Sequence, residues 1–343
     1  MEAKYMKRCL ELARKGMSYV APNPMVGAVV VYNDKIIGEG YHKKYGESHA
    51  EVHAIHNVAD KSLLEKSTLY VNLEPCSHTG KTPPCCELIS AYKIPKVVIG
   101  CRDTSSKVNG KGIAHLKNKG VEVKCGVLEE ESIRLNKRFF TFQHKKRPYI
   151  ILKWAESADG FMDRRRDKNE KGINWISKPN TKLITHQWRS EEACILVGRK
   201  TVENDNPSLT TREVNGPNPI RLIIDPNLKL NKGYEVFNDD AQTYLFNNLK
   251  NQRNGNVAYI KVGKENFLLD MLSFTHEQKW NSIIVEGGAS TVNQFLEKNI
   301  WDEARVIVGK PQFNGGLRSP VLKQNAFSIA NFNDDIVKTY LND

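Results

Sequence analysis

His49-Ala50-Glu51, then Pro75-Cys76, then Pro83-Pro84-Cys85, is the stretch on which the fold and chemistry of this chain turn. One imidazole and two thiols suit zinc, and the nearby carboxylate is not needed as a ligand. Three protein ligands leave the fourth tetrahedral position to water, whose pKa zinc lowers from about 15.7 to about 7. Chemistry on such a water needs a proton carrier beside the metal but not bound to it. Glu51 fits that need. If His49 opens a helix, as Val52, Ala54 and Ile55 predict, Glu51 follows two positions on and faces the same cleft. Cys86 adjoins Cys85, but consecutive residues of a helix beginning near Pro84 point apart, and Cys85 is assigned to the metal.

Outward from this stretch, Tyr5 to Gly16 reads as a helix, and strands Val26 to Tyr32 and Ile36 to Tyr41 flank an Asn33-Asp34 turn. Pro22 and Pro24 hold the backbone extended and fix the direction of the Asn23 amide, which can read the polar edge of a heterocycle or simply occupy a turn. His42 ends the second strand as a substrate contact or an incidental surface residue. Downstream come a strand at Thr68 to Leu73, a helix near Cys86 to Tyr92, a strand at Lys96 to Gly100, a helix around Ile113 to Lys119 and a strand at Val121 to Lys124. Glu129 to Phe142 reads as one closing helix. This alternation predicts a three-layer α/β arrangement.

His-x-Glu followed by Pro-Cys and a second cysteine resembles the signature of zinc-dependent nucleobase and nucleoside deaminases. Each part alone says little, because a lone helical histidine or intracellular cysteine is usually structural. Most such deaminases carry Pro-Cys-x-x-Cys, whereas here Ser77 to Pro84 intervene between Cys76 and Cys85. With that longer loop and with Pro22-Asn23-Pro24-Met25-Val26-Gly27, the first half resembles the cytidine deaminase-like fold. Within that fold it is similar to the bifunctional riboflavin biosynthesis deaminase-reductase family. The resemblance implies zinc on His49, Cys76 and Cys85, with Glu51 shuttling protons.

The basic linker His144 to Pro148 suggests two domains, 1–144 and 145–343. Tyr149 to Leu152 is apolar throughout, as a strand buried on both faces should be, and Lys153 is expected to close it. Ser157, Asp159 and Gly160 read as the loop at its mouth, and Ser177 as the N-cap of a helix ending in Arg189. Strands follow at Ala193 to Val197, Ile220 to Asp225, Thr243 to Phe246 and Val257 to Ile260. Ile283-Ile284-Val285 ends at Glu286-Gly287-Gly288, where glycines before a helix allow a phosphate close to backbone N–H groups. No Gly-x-Gly-x-x-Gly fingerprint accompanies it. Arg164-Arg165-Arg166 with Lys168 reads as a solvated hairpin loop.

Leu152-Lys153, Ser157-x-Asp159-Gly160, Trp175-Ile176-Ser177, Gly198-x-x-Thr201, Asp205-Asn206-Pro207, Arg212 and Glu286-Gly287-Gly288 resemble the reductase half of the same family. The resemblance implies a dihydrofolate reductase-like domain binding NADPH through Ala155, Trp175, Thr201, Asp205, Gly288, Ala289, Ser290, Thr291 and Asn293. It also implies substrate contacts from Ile173, Arg189, Leu209, Arg212 and Glu286. Arginine forks suit a sugar phosphate. Lys153 either steadies the sugar or reaches solvent. Phe161-Met162-Asp163 departs from the basic and small residues many relatives carry there.

The length of 343 residues favours two domains. There is no apolar run of membrane-spanning length and no signal-like start, and seven scattered cysteines suit a reducing compartment, so a cytoplasmic enzyme is expected. The net charge of +12 fits nucleic acid, a membrane surface or phosphorylated small molecules alike. The expected partner is a phosphorylated pyrimidine, with neither nucleic acid nor membrane, and a homo-oligomer is left open. The expected activity is deamination of 2,5-diamino-6-ribosylamino-4(3H)-pyrimidinone 5′-phosphate, then NADPH-dependent reduction of its ribosyl group. A deaminase acting on a base in RNA or DNA is the alternative, disfavoured by the cysteine spacing and by the lack of an aromatic-rich platform. A non-catalytic zinc module would have no use for Glu51 and usually has four protein ligands.

Overall fold

The computed structural model describes residues 2–77, 83–105, 108–167, 170–332 and 334–342. His78-Thr79-Gly80-Lys81-Thr82 of the cysteine loop and Lys168 of the arginine run lie outside the described residues. The chain divides into two compact units, Met1–Lys146 and Arg147–Asp343.

The first unit runs α1 (Glu2–Arg14), β1 (Gly27–Tyr32), β2 (Lys35–Tyr41), α2 (Ala50–His56), β3 (Thr68–Leu73), α3 (Cys85–Ala91), β4 (Lys96–Cys101), α4 (Lys111–Asn118), β5 (Glu122–Cys125), α5 (Glu129–Leu135) and α6 (Lys137–Lys145). Its sheet has the order β2-β1-β3-β4-β5, with β1 antiparallel to both neighbours and β3, β4 and β5 parallel. Asn33 and Asp34 both take positive φ, 46° and 58°, the two-residue turn whose twist matches its strands. Strand side chains alternate between two cores. Ala28, Val30, Leu69, Val71, Val97 and Ile99 pack under α2, α3 and α4 residues, while Val29, Val31, Tyr70 and Val98 pack against Tyr5, Met6, Cys9 and Leu12 of α1. The sheet is therefore covered on both faces, in three layers.

The closing helix is two helices, broken at Asn136. That side chain, 1% exposed, turns inward to bond the Met25 peptide, and its backbone leaves helical geometry at φ −99°, ψ 20°. The apolar period of the segment gave no sign of this tertiary bond.

The second unit runs β6 (Tyr149–Glu156), β7 (Phe161–Arg164), α7 (Thr181–Glu191), β8 (Cys194–Gly198), α8 (Arg199–Asp205), β9 (Ile220–Ile224), β10 (Thr243–Asn247), β11 (Gln252–Asn254), β12 (Val257–Lys261), α9 (Phe267–Glu277), β13 (Ser282–Val285), α10 (Ala289–Glu297), β14 (Glu303–Val308), β15 (Gly316–Arg318), β16 (Ser328–Phe332) and β17 (Asp335–Leu341). The large sheet has the order β11-β12-β10-β9-β8-β13-β6-β14-β17-β16 and is parallel from β12 to β14. Ile150, Leu152 and Trp154 face a core shared with α9 and α10, whereas Tyr149 and Ile151 face one shared with α7 and α8. β6 is thus buried on both faces, as its apolar run implies.

Three expectations need correcting here. β6 does not close at Lys153 but continues to Glu156, because its pairing with β14 extends to Glu156 opposite Val308. Ser177 is not a helix cap: α7 begins at Thr181, and Asp335 of β17 accepts from the Lys178 N–H at 2.8 Å and the Thr181 hydroxyl at 2.6 Å. The arginine run is exposed at Arg164 and Arg165, as a solvated segment should be, but it is no hairpin loop, since Arg164 ends a strand paired with β15, and the Arg166 side chain is only 17% exposed. β14 to β17 were not anticipated. Among the described residues no helix is long and apolar enough to cross a membrane.

Candidate active sites

In the first unit, α2 lies directly on β2. A Cβ at Gly38 would fall 2.3 Å from the Ala54 carbonyl oxygen, and one at Gly40 2.4 Å from the His53 Cβ, so only glycine permits this approach. The contact sets His49, at the N-terminal end of α2 with no side-chain capping bond, and Glu51 in the first turn. Cys76 follows β3 and Cys85 opens α3. The Cys85 N–H donates to the Cys76 Sγ at 3.3 Å, and the Cys86 N–H to the Cys76 carbonyl at 3.2 Å. The structure brings His49, Cys76 and Cys85 together: Nδ1 is 3.3 Å from the Cys85 Sγ and 3.6 Å from the Cys76 Sγ. Cys86 instead packs into the apolar core.

The donor set fits zinc, with one imidazole nitrogen and two sulfurs all within 4.8 Å of one another. A hydrogen bond from Cys85 is the main influence holding the Cys76 thiol down to about 4, against burial, while Cys85, the donor, is pushed well up. Glu51 is 3% exposed, and its Oε2 is buried without a hydrogen-bond partner. Burial pushes its carboxyl above the ordinary carboxylate range, with His49 opposing. A buried carboxyl group with an oxygen left unbonded is costly for stability alone and apt for proton transfer.

His42, 2% exposed, lies edge-on to His49 with ring centroids 5.4 Å apart. Its Nε2 is 3.1 Å from the Asn23 Nδ2 and its Nδ1 3.1 Å from the Ser48 carbonyl. The amide must donate and the carbonyl accept, so the ring is neutral with its proton on Nδ1. Burial keeps it so by lowering its pKa. The segment carrying Asn23 is itself gripped. The Met25 N–H donates to the Asn136 Oδ1 at 2.8 Å, and the Met25 carbonyl accepts from Asn72 and Asn136, each at 3.0 Å.

Glu74 turns away from the sulfurs and accepts from the N–H groups of Asp103, Gly110 and Ile113, which fixes the chain just before Cys76. Glu74, Asn72 and Asn136 were missed from sequence. Asn72, a lone amide in the apolar strand Thr68–Leu73, carried a visible signal; Asn136 carried none.

In the second unit, Glu286 stands just after β13 and gathers two cations. Arg189 grips it with two bonds of 2.8 Å, and the Lys153 Nζ lies at 3.3 Å. Burial pushes the Glu286 carboxyl up, but Arg189 and Lys153 overcome it and hold the pKa at about 2. Lys153 is lowered by burial, with Glu286 opposing. Arg189 also donates to the Thr210 carbonyl at 3.3 Å, Arg212 to the Thr210 hydroxyl at 2.9 Å, and the Arg212 N–H to the His186 Nδ1 at 3.0 Å. His186, another residue missed from sequence, is held down to about 4 by burial, with Arg189 and Arg212 adding to it.

Leu209 has a positive φ of 53° and packs its side chain into the core. The Gly288 N–H donates to the Thr201 Oγ1 at 3.0 Å, and a Cβ at Gly198 would lie 2.7 Å from the Thr291 Oγ1. The starts of α8 and α10 therefore abut. Ala289 and Thr291 are buried there, Ser290 is exposed and Asn293 half-buried. Ala155 is half-buried near the end of β6. Ile173 and Trp175 are exposed, with the Lys182 ammonium 3.8 Å from the Trp175 ring centroid. Asp205, at the end of α8, is raised to about 6, chiefly by burial.

A cytidine deaminase-like unit with a zinc-type cluster, followed by a dihydrofolate reductase-like unit, defines a two-domain α/β enzyme. Residues 1–101 match the cytidine and deoxycytidylate deaminase zinc-binding region, and residues 148–343 the RibD C-terminal domain. The riboflavin biosynthesis protein RibD of Aquifex aeolicus is 36% identical over 98% of this chain and 97% of its own length. That of Bacillus amyloliquefaciens is 40% identical over 94% and 88%. The crystal structure of a diaminohydroxyphosphoribosylaminopyrimidine deaminase/5-amino-6-(5-phosphoribosylamino)uracil reductase from Thermotoga maritima has a TM-score of 0.88 at 35% identity, covering 98% of this chain and 97% of that one. Acinetobacter baumannii RibD gives 0.86 at 27% identity, covering 99% and 98%. The chain belongs to the RibD family of riboflavin biosynthesis. Nothing in these matches favours a nucleic-acid substrate.

Proposed function

We propose that this chain catalyses two steps of riboflavin synthesis. Residues 1–144 remove the 2-amino group of 2,5-diamino-6-ribosylamino-4(3H)-pyrimidinone 5′-phosphate, and residues 145–343 reduce the ribosyl group of the product to ribityl with NADPH. The observation that carries the reading is Glu51, buried with an unpartnered oxygen on the helix that begins beside His49. His49, Cys76 and Cys85 would hold zinc, which supplies an activated water when bound. Glu51 takes a proton at its free oxygen and returns it to the departing amine. Asn23, oriented by His42 and by the gripped Met25 peptide, reads the edge of the pyrimidine.

In the reductase half, Ala155, Trp175, Thr201, Asp205, Gly288, Ala289, Ser290, Thr291 and Asn293 would hold NADPH, which supplies the hydride. Lys153, Ile173, Arg189, Leu209, Arg212 and Glu286 bind the phosphorylated substrate. The Glu286 carboxylate orients Lys153 and Arg189, so that both cations are in place before substrate arrives. The proposed compartment is the cytoplasm, supported by seven free cysteines.

The test follows ammonia release and NADPH oxidation in parallel on the zinc-loaded protein with the diaminopyrimidinone ribosyl phosphate. Both signals support the reading. Ammonia alone refutes the reductase half, and neither signal, with zinc bound, refutes the whole.

A further inference from the structure

Interleaved charges and amides link the described residues at the end of β7 and just after it. Asp163 accepts from the Arg166 Nε at 2.5 Å with one oxygen and from the Asn174 Nδ2 at 2.6 Å with the other. Arg164 bonds the Asn174 Oδ1 at 2.8 Å and Glu170 at 2.5 Å. Two links then tie this segment to the end of α8. The Gly172 N–H donates to the Asn204 carbonyl at 2.8 Å, and an Arg166 terminal nitrogen lies 3.6 Å from the Asp205 carboxylate.

Arg166 and Asp205 are 17% and 30% exposed, so solvent screens their attraction less than at an open surface. The ordering cost of Arg166 is already met by Asp163, which holds the Nε side of the fork and aims the rest of it at Asp205. A lysine could carry the charge but not span two carboxylates in one fixed plane. The remaining nitrogen of the fork, Nη1, is buried and unpartnered.

We propose that Arg166, aimed by Asp163, is a positioning residue of the reductase half that fixes the Asp205 carboxylate and straps the described residues around it, 163–167 and 170–174, to the end of α8. This rests on the assignment of Asp205 to the cofactor site. Among the described residues, Arg166 and Asp163 are the charged groups facing Asp205, while Arg199 and Glu203 of α8 pair with each other. Arg166 opposes the upward push that burial and Asp163 exert on Asp205, so its removal raises that carboxyl further.

The experiment compares Arg166→Ala, Arg166→Lys and Asp205→Asn in the full chain, with ammonia release as internal control. In Arg166→Ala, the KM for NADPH is expected to rise about tenfold with kcat within about twofold. The pH below which KM climbs should move up by about one unit. Arg166→Lys should fall between, and ammonia release should hold. Simple structural damage would lower the active fraction and kcat without moving the pH limb. A slow Asp205→Asn beside a wild-type Arg166→Ala overturns the strap alone. A wild-type Asp205→Asn removes Asp205 from the site and overturns both.

Discussion

The Asn23 amide donates to the His42 Nε2 at 3.1 Å, and this bond decides which ring nitrogen carries the proton. The histidine in turn keeps the amide from rotating, so the two side chains hold one orientation between them. Asn23→Ala removes the donor and, under the proposed function, the reader of the pyrimidine edge. Deaminase kcat/KM should fall by about tenfold to a hundredfold, a loss of one good hydrogen bond to a polar ring. Steady-state ammonia release checks it, and NADPH oxidation with the deaminated intermediate should be untouched.

Glu51→Gln keeps the shape of the side chain and removes its capacity to carry a proton. Zinc content by elemental analysis should stay at the wild-type level while ammonia release drops by about 10²- to 10⁴-fold. Full activity in this variant would remove Glu51 from the mechanism.

Asn136→Ala leaves the Met25 N–H buried without its 2.8 Å acceptor. The expected cost is about 1–3 kcal/mol, read as a lowered urea midpoint. Deaminase activity should suffer more than reductase activity, because the peptide set free leads directly to Asn23.

Glu286 has a folded pKa of about 2 against an ordinary 4.5. A carboxylate depressed on folding contributes stability that is full above 4.5 and is lost as pH falls through 2. The reductase unit should therefore lose stability across that window. Glu286→Gln should flatten the dependence and destabilise the protein at neutral pH by about 3–5 kcal/mol, since Lys153 and Arg189 are left buried without a counter-charge. Chemical denaturation at several pH values measures both effects.

Patterns local in the chain were legible in the sequence: the alternation of helices and strands in the first half, the Asn33-Asp34 turn, the doubly apolar run of β6 and the His-x-Glu and cysteine spacing. The structure sets His49, Cys76 and Cys85 within 4.8 Å of one another, as that spacing anticipates. Features that depend on a distant partner were not legible. Asn136 breaks a helix because Met25 needs it, Asp335 starts α7 from the far end of the chain, and Arg166 is drawn out of solvent by Asp163 and Asp205. β14 to β17 follow the last motif of the sequence, and pairing with β6 organises the first of them.

The bare backbone at Gly38 and Gly40 makes the spacing between α2 and β2 a tuning distance for the metal centre. Two of its three donors arrive from the chain around β3 and α3, but His49 and the buried Glu51 carboxyl both ride on α2. A single methyl group on β2 would act as a wedge, lifting the imidazole and the carboxylate together away from the two sulfurs. The His49 donor and the Glu51 carboxyl are thereby geared to one mechanical coordinate, set by residues outside the donor set.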